Sequence, residues 1–254
     1  MSGTSAMYDF YRDPGADGVG VAFSDALTGD GGVLSLGGAH GATGRAPGLA
    51  VVEADLGLPL AVVGQVHGTR VAVVDETTDL AVLAASSADA LLTTRPGVGL
   101  AIRVADCVPV LFADAAAGVV AGAHAGRVGL AGGVLQATVA AMRAAGAGTI
   151  TAWIGPHICG RCYEVPEAMA DEVEHQVPGS RSTTDRGTPG LDLGAGARGV
   201  LTGLGVRVSD VSRCTLQTPS LHSYRRDAAA AGRQAGIIWL TGSAPSRPAR
   251  VGRR

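Results

Sequence analysis

Three short segments concentrate side chains able to hold a metal ion or activate a nucleophile: Gln65-Val66-His67-Gly68-Thr69, Ala105-Asp106-Cys107-Val108-Pro109 and Ala121-Gly122-Ala123-His124-Ala125-Gly126. Each follows an apolar run and meets Gly or Pro, where a strand ends and a side chain can project into a cavity instead of a core. Two neutral imidazoles and a thiolate form a borderline-soft donor set that suits zinc. Three protein ligands leave a fourth tetrahedral position open to water or substrate. The same residues also admit a metal-free pair, the Cys107 thiolate with the His124 imidazolium, oriented by Asp106 or His67. Against both stands plain packing: a His beside Gly is commonly a hydrogen-bonded turn residue, and a Cys in an apolar strand is commonly inert. Spacing alone does not separate these alternatives.

Other segments carry weaker signals. Cys159-Gly160-Arg161-Cys162 is a C-x-x-C after the turn-like Gly155-Pro156-His157. A zinc knuckle needs a second pair, which Cys214 alone does not supply, so structural thiols are expected there, with His157 and Cys159 a weak metal pair at most. His40, in a Gly-rich loop, and His175, on an expected surface helix, read as solvent-facing. Ser223-Tyr224-Arg225-Arg226-Asp227 presents planar guanidinium forks suited to phosphate or carboxylate, with a surface ion pair as the equal alternative. Gly194, Gly196 and Gly199 spell G-x-G-x-x-G, but no strand leads into them and Asp210 follows too soon for a ribose-binding acid. Helix packing explains them better.

The elements that must position these residues follow from composition and pattern. The chain has 254 residues, 46% hydrophobic and 17% charged, which specifies a globule and excludes disordered, coiled-coil and collagen-like classes. A net charge of −2 gives no field to recruit nucleic acid or an anionic membrane, so a small-molecule partner is expected. All 20 basic residues are Arg, which excludes Schiff-base lysine chemistry and a P-loop lysine. Four cysteines without a secretion signal read as thiols in a cytoplasmic protein. The most apolar stretch, Leu100 to Met142, is interrupted by Arg103, Asp106, Asp114, His124 and Arg127, so no membrane span is expected. Residues 1–15 are expected to be a flexible arm, 16–242 one domain, and 243–254 a disordered basic tail.

Short apolar runs predict strands at Val19–Phe23, Leu60–Val66, Arg70–Val74, Ala90–Thr94, Leu100–Ala105, Val108–Phe112, Val119–Ala123, Ile150–Ile154, Val206–Val211 and Ala235–Leu240. Several lack alternation, as expected for sheets covered on both faces. Leu135, Val139 and Met142 at helical spacing predict one helix from Val128 to a stop at Gly146, with others near Glu167–Gln176 and Leu191–Leu204. The mixed order predicts an α+β fold.

The ordered blocks QVHGTRV, ADALLT with ADCVPVLFAD, GVVAGAHAGRVGL, WIGPHICGRCYEV, LDLGAGAR and RCTLQTPSLHSYRRD with GIIWL resemble the YfiH-like, or laccase-domain, family from about Gly64 to Leu240. The resemblance implies a single layered α/β/β/α domain with mixed sheets, as a monomer or small homo-oligomer. It also implies a zinc site at His67, Cys107 and His124, which would be the catalytic centre, with copper the alternative metal. Gln65, Arg127 and Arg226 are the expected substrate-binding residues. The implied activities are phosphorolysis of adenosine, inosine and S-methyl-5'-thioadenosine, with purine nucleoside and phosphate as partners, and adenosine deamination. Copper-linked phenol oxidation and an envelope role in peptidoglycan editing are the alternatives. The chain departs from the family's HAGWRG at His124-Ala125-Gly126-Arg127-Val128-Gly129, where the Trp is absent and the Arg falls one position early. It also carries Val104 where the family has Thr.

Overall fold

The computed structural model describes residues 7–28, 30–37, 46–242 and 251–253. The first half of the chain contains β1 (Tyr8–Arg12), β2 (Val19–Ser24), α1 (Pro47–Leu56), β3 (Leu60–Ala61), β4 (Val71–Val74), α2 (Leu80–Ala84), β5 (Ala90–Thr93), β6 (Gly99–Val104), β7 (Val108–Asp114) and β8 (Val119–Ala125). The second contains α3 (Arg127–Ala131), α4 (Val134–Ala144), β9 (Thr151–Ile154), α5 (Glu167–Gln176), β10 (Arg181–Thr183), β11 (Pro189–Leu191), α6 (Leu193–Gly203), β12 (Arg207–Asp210), α7 (Tyr224–Asp227), β13 (Gln234–Leu240) and β14 (Val251–Arg253).

Two six-stranded sheets result, ordered β14-β1-β2-β13-β6-β3 and β12-β9-β7-β8-β5-β4, with β10-β11 a separate hairpin. Both sheets are mixed, since β3 pairs parallel with β6 in one, and β4 with β5 and β9 with β12 in the other. The inner strands β2, β5, β6, β7, β8 and β13 are largely apolar because both faces are buried. In β13, Ile238 and Leu240 enter the core between the sheets while Ile237 and Trp239 face α1, where Leu49 and Val52 cover them. In β7, Leu111 and Ala113 face the other sheet, whereas Val110 and Phe112 pack under Leu135, Val139, Met142, Ala197 and Leu201 of α4 and α6. The order helix, sheet, sheet, helix is the expected layered α/β/β/α architecture. Among the described residues no helix is long and apolar enough to cross a membrane.

Four expectations need correction. Residues 8–12, expected within a flexible arm, form β1. A register shift between Tyr8 and Phe10 puts them on opposite faces, so that Tyr8 is buried with its hydroxyl donating to Asp55 Oδ2 at 2.8 Å and Phe10 packs against Phe23. Within the segment expected to be a disordered tail, Val251–Arg253 pairs with β1 as β14; the rest of the tail lies outside the described residues, as does His40. The helix expected from Val128 to Gly146 is broken in two at Gly132-Gly133, where Gly133 takes a φ of 93° that ends the turn of α3 before α4 begins. The expected strand Leu60–Val66 keeps ladder pairing only over Leu60–Ala61. Beyond it the chain turns away to present His67.

Candidate metal centre

The centre forms where the loop after β3, the β6–β7 turn and the end of β8 meet. His67 sits in that loop with a φ of 62°, unusual for a residue carrying a Cβ. Asp89, fully buried just before β5, holds it there. Its carboxylate accepts the N–H groups of Val66 at 3.2 Å, His67 at 2.8 Å and Gly68 at 2.7 Å. The same carboxylate binds His124 Nδ1 at 2.9 Å. That hydrogen bond fixes the ring of His124 and leaves Nε2 as its free nitrogen. Burial opposes ionisation of Asp89, but His124 and the backbone N–H groups outweigh it and hold the carboxyl below its ordinary range.

Cys107 stands in the β6–β7 turn, next to Asp106, whose φ is 86°. Thr215 Oγ1 donates to Asp106 Oδ1 at 2.6 Å and the Arg225 N–H donates to Oδ2 at 2.6 Å, so this strained turn is clamped from two sides. Cys107 Sγ lies 3.8 Å from His67 Nε2, and the two imidazoles stand edge to face with centroids 4.7 Å apart. A Cβ on Gly126 would lie 2.6 Å from His67 Cδ2 and 3.0 Å from Cys107 Sγ, so only glycine lets the chain leave β8 this close to the site.

One nitrogen from each of His67 and His124 and the Cys107 sulfur lie within 4.8 Å of one another. Burial raises the pKa of the Cys107 thiol, yet the neighbouring His124 and His67 bring it down to about 6. Burial opposes protonation of His124, yet Cys107 and Asp89 raise its pKa to about 9. A thiolate and a carboxylate therefore flank an imidazole in a place that calls for positive charge. A dication meets that demand through the same donors once the proton leaves. Two nitrogens and one sulfur at this spacing fit zinc or copper in an open, three-ligand site.

The other expected site residues fare differently. Gln65 does not face the centre: its amide donates to the Arg103 carbonyl at 2.7 Å and accepts the Arg103 N–H at 2.9 Å, continuing the sheet edge beside β6. The Arg226 guanidinium is turned into its own loop, donating to the carbonyls of Thr215 at 3.0 Å and Leu221 at 2.7 Å and pairing with Asp227 at 2.8 Å. Its donors are thereby committed, which corrects the expectation of an anion site at this residue. Arg127 follows Gly126, which packs against His67 and Cys107, and Arg225, from the same cluster as Arg226, donates its backbone N–H to Asp106 next to Cys107. The Arg225 guanidinium stands 5.1 Å from the Tyr163 ring and donates to the Glu164 carbonyl at 3.1 Å, while burial and the Cys107 charge raise the Tyr163 pKa against the opposing charges of Arg127 and Arg225. Asp89 and Tyr163 escape a sequence reading because their partners are distant in the chain, and the cluster that holds Arg225 and Arg226 does not by itself separate their roles. The one available hint for Asp89 was a turn acid just before a strand.

Cys159, Cys162 and Cys214 form a second group and do not join the first. His157 belongs to neither among the described residues; its Nδ1 is hydrogen-bonded to the Gly155 carbonyl and its ring packs against Gly194. Gly194 and Gly196 are helix-packing residues of α6, where a Cβ would strike His157 and Val177. Val104 is buried between the sheets.

Residues 48–241 match the family model for multi-copper polyphenol oxidoreductase laccase. A protein of Mycobacterium tuberculosis named as a purine nucleoside phosphorylase is 48% identical over 195 residues, covering 74% of this chain and 76% of its own. One of Streptomyces griseus with the same designation is 49% identical over 217 residues, covering 82% of this chain and 87% of its own. Among solved structures, a Neisseria meningitidis protein superimposes with a TM-score of 0.74 at 34% identity, covering 92% of this chain and all of that one. YlmD of Geobacillus stearothermophilus gives 0.76 at 26% identity, covering 94% and 98%.

Proposed function

This chain belongs to the multi-copper polyphenol oxidoreductase laccase family, and from that membership we propose that it is a zinc-dependent purine nucleoside phosphorylase. Adenosine, inosine and S-methyl-5'-thioadenosine are its proposed substrates, with adenosine deamination as a second reaction of the same cytoplasmic enzyme. The observation that carries the proposal is the convergence of His67, Cys107 and His124 in a chain whose relatives are named as purine nucleoside phosphorylases.

Phosphorolysis joins a phosphate oxygen to C1' of the sugar as the bond from C1' to the purine nitrogen breaks, through an oxocarbenium-like sugar. Bound zinc would supply a Lewis acid for an anionic oxygen and, in deamination, an activated water for attack on C6 of adenine. The protein's own part is charge and position. Arg127 and Arg225 would supply guanidinium groups for the phosphate dianion, with Arg225 stacked over Tyr163. Burial, with the Cys107 charge, raises the Tyr163 pKa, which keeps a phenolic proton available for hydrogen bonding near the leaving base. Val66 and Val128, 59% and 52% exposed, directly adjoin His67 and Arg127 in the chain and offer apolar surface to a purine ring. Oxidation of phenols is the second reading, favoured by the family's description; the His67, Cys107 and His124 group by itself, however, supplies one copper position, where four-electron reduction of oxygen requires several close together.

Metal-loaded protein incubated with adenosine and phosphate should release adenine and ribose 1-phosphate in equal amounts, and chelation should stop it. Base release that is absent, or indifferent to phosphate, overturns the proposal. Turnover that survives chelation would instead identify a cysteine hydrolase, and phenol oxidation by the copper-loaded protein alone would identify an oxidase. Arg127→Ala and Arg225→Ala should each raise the KM for phosphate about 10- to 100-fold, through loss of a charge-assisted contact. Arg226→Ala should leave that KM unchanged and lower the melting temperature, since it strips donors from the carbonyls of its loop.

A further inference from the structure

We propose that Cys159, Cys162 and Cys214 form a second metal site, which takes a thiophilic cation, zinc or cuprous copper, and is separate from the His67, Cys107 and His124 centre. The three sulfurs lie within 4.8 Å of one another and all three cysteines are free thiols, partly buried. Thiolates about 2.3 Å from one zinc ion stand roughly 3.8 Å apart, so a small inward movement closes the site.

Backbone structure preforms this arrangement. The N–H groups of Cys162 and Tyr163 both donate to the Cys159 carbonyl, at 2.9 and 3.0 Å, making one helical turn that sets the two thiols of the C-x-x-C on one side. Gly160 lets that turn pack down, since a Cβ there would lie 2.7 Å from Asp192 Cβ and 2.8 Å from Ser182 Oγ. The third thiol arrives from a remote segment locked in place by a parallel bridge: the His157 N–H donates to the Arg213 carbonyl at 3.1 Å, and the Thr215 N–H to the His157 carbonyl at 3.0 Å.

The three sulfurs sit in unequal surroundings. Burial opposes ionisation of Cys214, but hydrogen bonds to its sulfur from the backbone N–H groups of Cys159 and Gln217 bring its pKa below the ordinary thiol value. Donors of this kind stabilise metal-bound thiolates. Burial and the two neighbouring sulfurs push Cys162 up to about 12. Three thiolates this close repel one another until a cation is bound, so metal binding must expel the protons that the trio holds. A disulfide would pair two sulfurs and leave the third unused. Among the described residues no fourth His, Cys, Asp or Glu joins the group, which suits three-coordinate cuprous copper, or zinc completed by an external ligand.

The two centres are mechanically joined. Cys214 precedes Thr215, whose hydroxyl holds Asp106 beside Cys107, while Asp106 also anchors the backbone of Arg225. A cation on the three thiols therefore braces the turn that presents Cys107.

The test uses the full chain purified under reducing, anaerobic conditions. Zinc titrated against a competing chelator should reach two equivalents per chain in the wild type and one in Cys107→Ala. Cobalt-loaded Cys107→Ala should keep an intense sulfur-to-cobalt charge-transfer band, and Cys162→Ser should weaken it. Cuprous ion titrated in competition with a cuprous chelator shows which of the two cations the thiols prefer. Saturation of the wild type at one equivalent overturns the proposal, as does a Cys107→Ala protein with no cobalt–thiolate band. So does a Cys159–Cys162 disulfide that persists in the reduced protein. The spectral arm reads a single variant that keeps all three thiols, so it does not depend on a folded triple mutant.

Discussion

Cys107→Ala will lower phosphorolysis by roughly 10³-fold or more while the protein remains folded. The size of the loss follows from the ligand set. With only three protein donors, removing the single sulfur leaves two imidazoles, too few to retain a catalytic ion at low free zinc. The structural cost is small by comparison. Cys107 is a small side chain at the margin of the inter-sheet core, and loss of one sulfur there costs about 1 kcal/mol, or a melting shift of about 2–4 °C in a chain of this size. Metal content, turnover and melting temperature measured on one preparation separate the two effects. Normal ribose 1-phosphate production by the alanine variant would remove Cys107 from the chemistry.

Asp89→Asn is expected to act almost as strongly without touching the metal itself. The carboxylate accepts four donors at once: three successive backbone N–H groups and His124 Nδ1. An amide of the same shape points an NH2 group at some of those donors, leaving buried N–H groups unpaired at about 1–3 kcal/mol each. His67 then loses the anchor that holds its positive φ, and His124 loses the partner that fixes its ring and makes its other nitrogen more basic. Zinc affinity should fall about 10- to 100-fold. Excess zinc should restore part of the turnover, which it should not do for Cys107→Ala. An Asp89→Asn protein with wild-type zinc affinity would show that the ligands hold their geometry unaided.

The strands carrying the centre were readable because sheets covered on both faces leave unbroken apolar runs, and β2, β5, β6, β7, β8 and β13 lie within a residue or two of where those runs place them. What escaped was local structure stabilised from afar. The segment around Tyr8 resembles a frayed terminus until β2 and α1 are placed beside it. The helix α1 begins on Pro47 with no side-chain cap to announce it. The break between α3 and α4 rests on one glycine within an otherwise continuous apolar pattern.

At the centre, the sequence by itself determined the donor chemistry. His67, Cys107 and His124 are soft or borderline ligands at strand ends, and an all-arginine basic set leaves phosphate to guanidinium groups, backbone amides or metal. Which donors share a site depended on the tertiary structure. Asp89 reaches partners 21 to 35 residues away, a pairing that exists only once β5 and β8 lie side by side. Arg225 and Arg226 are neighbours with the same charge, yet the turn of α7 brings one toward Tyr163 and folds the other onto the carbonyls of its own loop. A side chain's type sets which interactions it can make. The backbone around it decides which donors and acceptors lie within about 3 Å, and that distance separates the arginine folded onto its own loop from the one stacked over Tyr163.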